Sequence, residues 1–215
     1  MVTTIAMSRR PRLYVSFCGF DAEFAETLIQ HLQTDGRFEI SFDPDTTINE
    51  DDWKTQVGDL IAKADTVLFV VSPDALQTCG WEMDCAHEYA KRIVPVVCRP
   101  LDGAKVPDEL SGISLVDFSR SPSFLSGFNA LLGLLASDID WLRENTRLLA
   151  RALKWEKSGR SNHLLLTGDE IKAAKMWTFD RPEHAAKPND LHMTFISTSE
   201  AVQLAQTGAV KVYEA

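Results

Sequence analysis

Six consecutive residues, Thr66-Val67-Leu68-Phe69-Val70-Val71, constrain this chain more than any other stretch. A run that is apolar at every position has no face for water, so a strand built from it must be covered on both sides. A parallel sheet with helices on both faces meets that demand. Pro73 ends the run, and shorter β-branched runs recur around it, each followed by an amphipathic stretch. Leu13 to Cys18 reads as a first strand ended by Gly19, Phe38 to Phe42 as a second, Ile93 to Cys98 as a fourth and Ile113 to Phe118 as a fifth. Helical spacing fills the intervals. Phe24, Leu28, Ile29 and Leu32 form one stripe of Asp21 to Thr34, with Asp21 as the cap. Trp53, Val57, Leu60 and Ile61 do the same over Asn49 to Lys63, after a polar loop from Asp43 to Ile48. Ala75 to Lys91 is helical, and Phe124, Phe128, Leu131, Leu132 and Leu135 line a helix after the last strand.

Five strands alternating with helices predict an α/β domain of flavodoxin-like type, a five-stranded parallel sheet in the order 2-1-3-4-5 with helices on both faces. In that order the topological switch falls between strands one and three, and ligands bind beyond the carboxyl ends of the strands there. In this chain those ends are Phe17 to Asp21 and Val71 to Asp74. From Ser137 the character changes. A helix opens at Asp138 and runs through Trp155 to Lys157, where Ser158-Gly159 stops it; Gly168 to Trp177 is a shorter helix, Arg181 to Asn189 a polar linker, and Leu191 to Ala205 a last, weakly amphipathic helix. The expected organisation is a disordered segment over 1–11, an α/β domain over 12–136 and a C-terminal helical extension over 137–215, partly packed on the domain.

The composition narrows the function. Among 215 residues, 22 Lys and Arg stand against 31 Asp and Glu, a net charge of −9. That argues against direct nucleic-acid binding by bulk electrostatics, while leaving room for a local basic patch. No apolar stretch approaches a membrane span, and Met1 to Pro11 has no apolar core of a secretory signal. Cys18, Cys79, Cys85 and Cys98 form no CxxC pair, which fits a reducing cytoplasm. No P-loop and no GxSxG elbow occurs. Strand three ends in Val-Val-Ser-Pro rather than in an acceptor Asp, which speaks against a phosphorylated receiver domain.

The stretch after strand three carries the chemistry. On a helix starting near Cys79, Glu82 falls in the first turn and faces the expected cleft. The helix amino terminus favours an ionised carboxylate there. Beside a ribose, such a carboxylate holds the hydroxyls and stabilises positive charge developing at the anomeric carbon. A solvated first-turn glutamate satisfies the same spacing. Phe17, Phe20 and Trp53 are either aromatic walls of a cleft or plain packing. Cys79 and Cys85 are badly spaced for one metal and read as small buried hydrophobes, so no metal is expected.

From about Leu13 to Leu135 the chain resembles a bacterial TIR (Toll/interleukin-1 receptor) domain. Ser16-Phe17-Cys18-Gly19-Phe20-Asp21 is similar to the family's first box, and Asp43 to Trp53 to its BB loop with the trailing Asp52-Trp53. Ser72-Pro73-Asp74 followed by Cys79-Gly80-Trp81-Glu82 resembles the Ser…Cys-x-x-Glu pattern around the family's catalytic glutamate, and Lys91 to Val97 the entry to strand four. The resemblance implies an NAD+ glycohydrolase that takes NAD+ as substrate, uses no cofactor and works through Glu82. It implies a substrate-binding set of Ser16, Phe17, Cys18, Phe20, Asp43, Trp53, Ser72 and Trp81. It also implies homotypic self-association through the BB loop, a separate sensor or activator protein, and a place in bacterial antiphage defence. The other reading is a TIR scaffold without chemistry. Two features depart from the family: Asp43-Pro44-Asp45 and Ile48-Asn49 stand where an Arg-Asp pair and Pro-Gly are usual, and Cys18-Gly19 replaces a basic residue of the first box. The helix from Asp138 to Glu156 is similar to one that follows many bacterial TIR domains.

Overall fold

The six-residue apolar run is the centre of the molecule. In the computed structural model, which describes residues 9–43, 50–78, 80–101, 103–104, 110, 113–183 and 185–213, it forms strand β3 (Thr66–Val71), buried at every position. Val67, Phe69 and Val71 project into one hydrophobic cluster and Leu68 and Val70 into another on the opposite face, so both faces are covered as the pattern requires. Beside it lie β1 (Arg12–Ser16), β2 (Glu39–Phe42), β4 (Arg92–Val97) and β5 (Val116–Asp117). The sheet is parallel throughout, in the order β2-β1-β3-β4-β5. The expected topology is the observed one.

One face is covered by α2 (Glu50–Lys63), α3 (Ala75–Thr78) and α4 (Gly80–Glu88), whose Val57, Ile61, Ala75, Met83 and Ala86 pack against β3. The other is covered by α1 (Ala22–Asp35) and α5 (Phe124–Leu135) through Leu28, Leu32, Phe128 and Leu131. Each fully buried side chain of this size contributes about 1.5–3 kcal/mol relative to an exposed one. The helix expected from Ala75 to Lys91 is split: α3 ends at Thr78 and Gly80 opens α4, with residue 79 outside the described residues. Glycine is poorly tolerated inside a helix, so it stands at a start. The expected fifth strand shrinks to two residues. Ile113 turns in against the first cluster and Leu115 is exposed, leaving only Val116 and Asp117 to pair with β4.

The C-terminal helices α6 (Ile139–Lys157), α7 (Asp169–Phe179) and α8 (Asp190–Tyr213) enclose a third cluster. Trp141 and Trp177 stack at 4.9 Å and each indole N–H donates to the other's backbone carbonyl. Helix α8 runs past the expected Ala205, and the lone Gly208 does not stop it. Helix α6 stops as expected, with Gly159 at φ +72°. Of the segment expected to be disordered, residues 1–8 lie outside the described residues, whereas Arg9 pairs with Asp65 at 3.2 Å. No helix among the described residues is long and apolar enough to cross a membrane.

Candidate functional site

Alternation along β1 aims Tyr14 and Ser16 at the same face, and α4 brings its first turn over them. Glu82, 6 % exposed, receives the Tyr14 hydroxyl on Oε1 at 2.7 Å and the Ser16 hydroxyl on Oε2 at 2.9 Å. Two hydroxyl donors and the first turn of a helix engage this carboxylate. Ser16 is therefore tied to the glutamate. Tyr14 escaped the sequence reading, although the period-two pattern of the strand places it beside Ser16.

A second carboxylate organises the same end of the sheet. Asp21 is 3 % exposed and accepts from Cys18 Sγ (2.9 Å), Ser72 Oγ (2.5 Å), Cys98 Sγ (3.4 Å) and Arg99 Nε (2.9 Å). These atoms come from the carboxyl ends of β1, β3 and β4, the crevice where the strand order switches. Arg99 also reaches Asp74 at 2.6 Å. Burial alone pushes the Asp21 carboxyl up, but the hydrogen bonds from Cys18, Ser72, Arg99 and Cys98 outweigh it and hold it below the usual range. Asp21 does not cap α1 with its side chain, because that side chain is committed to this network. Ser72 also accepts the Ala75 amide at 3.1 Å, so its hydroxyl joins Asp21 to the start of α3. Arg99 had no signal in the sequence beyond its place just after strand four.

The other residues divide. Cys18 lies buried with its thiol on Asp21. Phe17 packs on the α1 and α5 face of the sheet, opposite Tyr14, while Phe20 is 81 % exposed. Trp53 and Trp81 meet at 5.2 Å against the α2 and α4 cluster, and the Trp53 indole donates to Asp43. The BB-loop residues 44–49 and Cys79 lie outside the described residues. Burial pushes the Cys85 thiol up to about 11, helped by the charges of Glu88 and Glu82. Burial with the Asp21 charge pushes Cys98 up to about 12. Both thiols are protonated at neutral pH and unsuited to nucleophilic work. Among the described residues no group of three or more His, Cys, Asp and Glu is arranged to hold a metal ion.

Asp21 and Asp74 share the guanidinium of Arg99 at the carboxyl end of the sheet, and the Glu82 carboxylate lies beside the end of β1 on the same side. No curated protein matches the chain. A family model described as TIR domain matches residues 13–132, more than half of the sequence. The parallel order of the sheet agrees with it, and the chain belongs to the TIR domain family.

Proposed function

We propose that the protein is an NAD+ glycohydrolase that cleaves the bond between nicotinamide and ribose. The observation that supports this most is the Glu82 carboxylate, held by Tyr14 and Ser16 at the switch-point crevice. The nicotinamide ribose of NAD+ lies over Glu82, which takes hydrogen bonds from its hydroxyls and stabilises positive charge at the anomeric carbon. The C–N bond breaks with its electron pair leaving on the nicotinamide nitrogen. A cationic ring thus departs as a neutral base, and no general acid is needed to protonate it. Water then bonds to the anomeric carbon and releases a proton, giving ADP-ribose; an adenine nitrogen of the same molecule in that role gives a cyclic isomer. Asp21 and Asp74 add to the negative field of the crevice, and Arg99 faces the pyrophosphate. Trp53 and Trp81 form a wall on the α2 side. Activity rises with self-association through the BB loop, in the cytoplasm of a bacterium, as part of a defence response triggered by a separate sensor.

A scaffold without chemistry is the second reading, favoured by the 6 % exposure of Glu82 and by the engagement of both its oxygens within the fold. One comparison separates them. NAD+ loss and product mass are followed at low and high protein concentration for wild type and Glu82→Gln, which keeps the shape and removes the charge. The glycohydrolase reading expects turnover that climbs with concentration and drops by about a hundredfold or more in the variant. Self-association with no NAD+ loss at any concentration supports the scaffold.

A further inference from the structure

Although the chain carries a net charge of −9, eight of its 22 Lys and Arg line one groove. The groove lies between the carboxyl-terminal half of α2 and the length of α6, and has a volume of about 760 Å³. Arg143, Arg147, Arg151 and Lys154 are spaced four, four and three residues apart on α6, which puts them on one helix face. Lys63 stands on the α2 wall opposite, and Arg9 and Arg12 join the lining. Asp59 is the one carboxylate among the lining residues, and Ala62, Ala150 and Leu153 supply apolar surface.

The five arginines all have carboxylate partners: Arg9 pairs with Asp65 at 3.2 Å, Arg12 with Glu39 at 3.2 Å, Arg143 with Asp140 at 3.5 Å, Arg147 with Glu144 at 2.7 Å and Arg151 with Glu170 at 2.5 Å. Lys63, Lys154 and Lys157 are exposed and have no ion-pair partner among the described residues. These three lysines share one concavity and repel each other, a cost that an anionic ligand converts into binding energy. Clefts lined by one sign of charge focus the field inward, and mixed Arg and Lys linings suit phosphate. The volume falls within the range of small-molecule sites. Outside the groove, carboxylates outnumber cations about two to one. A long polyanion would run onto that repelling surface, whereas a compact one meets only the groove.

We propose that this groove binds a small molecule bearing two or more phosphate groups, with the phosphates between Lys63 and the Lys154–Lys157 turn. The site is at the amino-terminal edge of the sheet, beside Arg12, whereas Glu82 faces the carboxyl end; the two sites are separate. Its ligand joins the sheet domain to α6.

The test titrates ATP and inorganic triphosphate into the full chain by calorimetry and thermal shift, with a single-stranded oligonucleotide in parallel. The expected result is saturable one-to-one binding that raises the melting temperature and weakens with salt. ATP binding tighter than triphosphate assigns the apolar floor a base, and equal affinity assigns recognition to the phosphates alone; both support the site. Lys63→Glu, and separately Lys154→Glu with Lys157→Glu, lower the affinity by about tenfold or more. Glu82→Gln leaves it unchanged. No saturable binding of either probe, binding indifferent to the lysine variants, or an oligonucleotide that binds more tightly than both probes overturns the proposal, the last in favour of a nucleic-acid surface.

Discussion

The Asp21 carboxylate accepts from four side chains drawn from three separated stretches of the chain. Such a group stabilises the fold only while it is ionised, and the sign of its pH dependence follows. Its folded pKa lies below its ordinary value of 3.8, so between those values the unfolded chain binds the extra proton. The contribution is complete above the ordinary value and is lost as the pH falls through the folded one. Asp21→Asn keeps the shape, removes the charge opposite Arg99 and sets an amide donor against donors. The expected cost is about 2–3 kcal/mol in urea unfolding at neutral pH, smaller than for a fully buried pair because Arg99 is 45 % exposed. The variant is also expected to lose the acid-limb dependence that Asp21 gives the wild type. An unchanged unfolding midpoint would show that the network is incidental to stability.

Helix α5 offers a contrast within one element. Gly127 is buried, and a methyl group there would sit 2.8 Å from the Phe118 ring. That ring is itself wedged at 5.2 Å against both Phe24 and Phe124, so it cannot easily yield. Gly133, six residues on, has open space around it. Gly133→Ala is expected to stabilise by about 0.5–1 kcal/mol through helix propensity. Gly127→Ala gains the same propensity and loses more to overpacking, for a net cost of up to about 2 kcal/mol. Thermal or urea unfolding of the pair reads both signs. The apolar stripe that marked α5 in the sequence could not distinguish these glycines, because the distinction is made by an aromatic from the segment after β5. The same limit explains what was legible elsewhere. Thr66–Val71, the strand order and the place of Glu82 follow from local periodicity and topology. The shortness of β5, the bond from Tyr14 to Glu82 and the Arg99 bridge depend on contacts between distant segments. The BB-loop residues 44–49 and Cys79 remain expectations, because they lie outside the described residues.

At the scale of the whole molecule, the C-terminal helices complete the sheet domain rather than merely resting on it. The last carbonyls of a helix have no partner within it. Thr146 of α6 donates to Ala64 O at 3.0 Å after α2, and Asn145 to Ala90 O at 3.1 Å after α4. Asn189, just before α8, donates to Glu88 O at 2.8 Å. Between these contacts lies Lys91, 1 % exposed, whose ammonium reaches Ala62 O at 2.8 Å and Thr146 Oγ1 at 3.3 Å. Burial drives its pKa down to about 7, against the opposing pull of Asp65; Arg9 lowers it further and Cys85 raises it. Nearby His192 is held down to about 4 chiefly by burial, with the Lys91 charge adding to the effect and the Asn145 carbonyl opposing it. For Lys91 the linkage runs opposite to that of a lysine that gains an acidic partner. Between about pH 7 and 10.5 the unfolded chain holds a proton that the folded chain does not, so stability rises with pH across that window and is flat beyond it. The slope from this one group reaches about 1.4 kcal/mol per pH unit. Lys91→Met fills the same space without a titrating group, and is expected to flatten the urea-unfolding stability between about pH 7 and 10 relative to wild type. Asn145→Ala is the control, since it loosens the same junction but leaves the slope in place. Parallel slopes for wild type and Lys91→Met would mean that the ammonium stays charged at the junction, and that the extension is docked around a cation rather than a neutral amine.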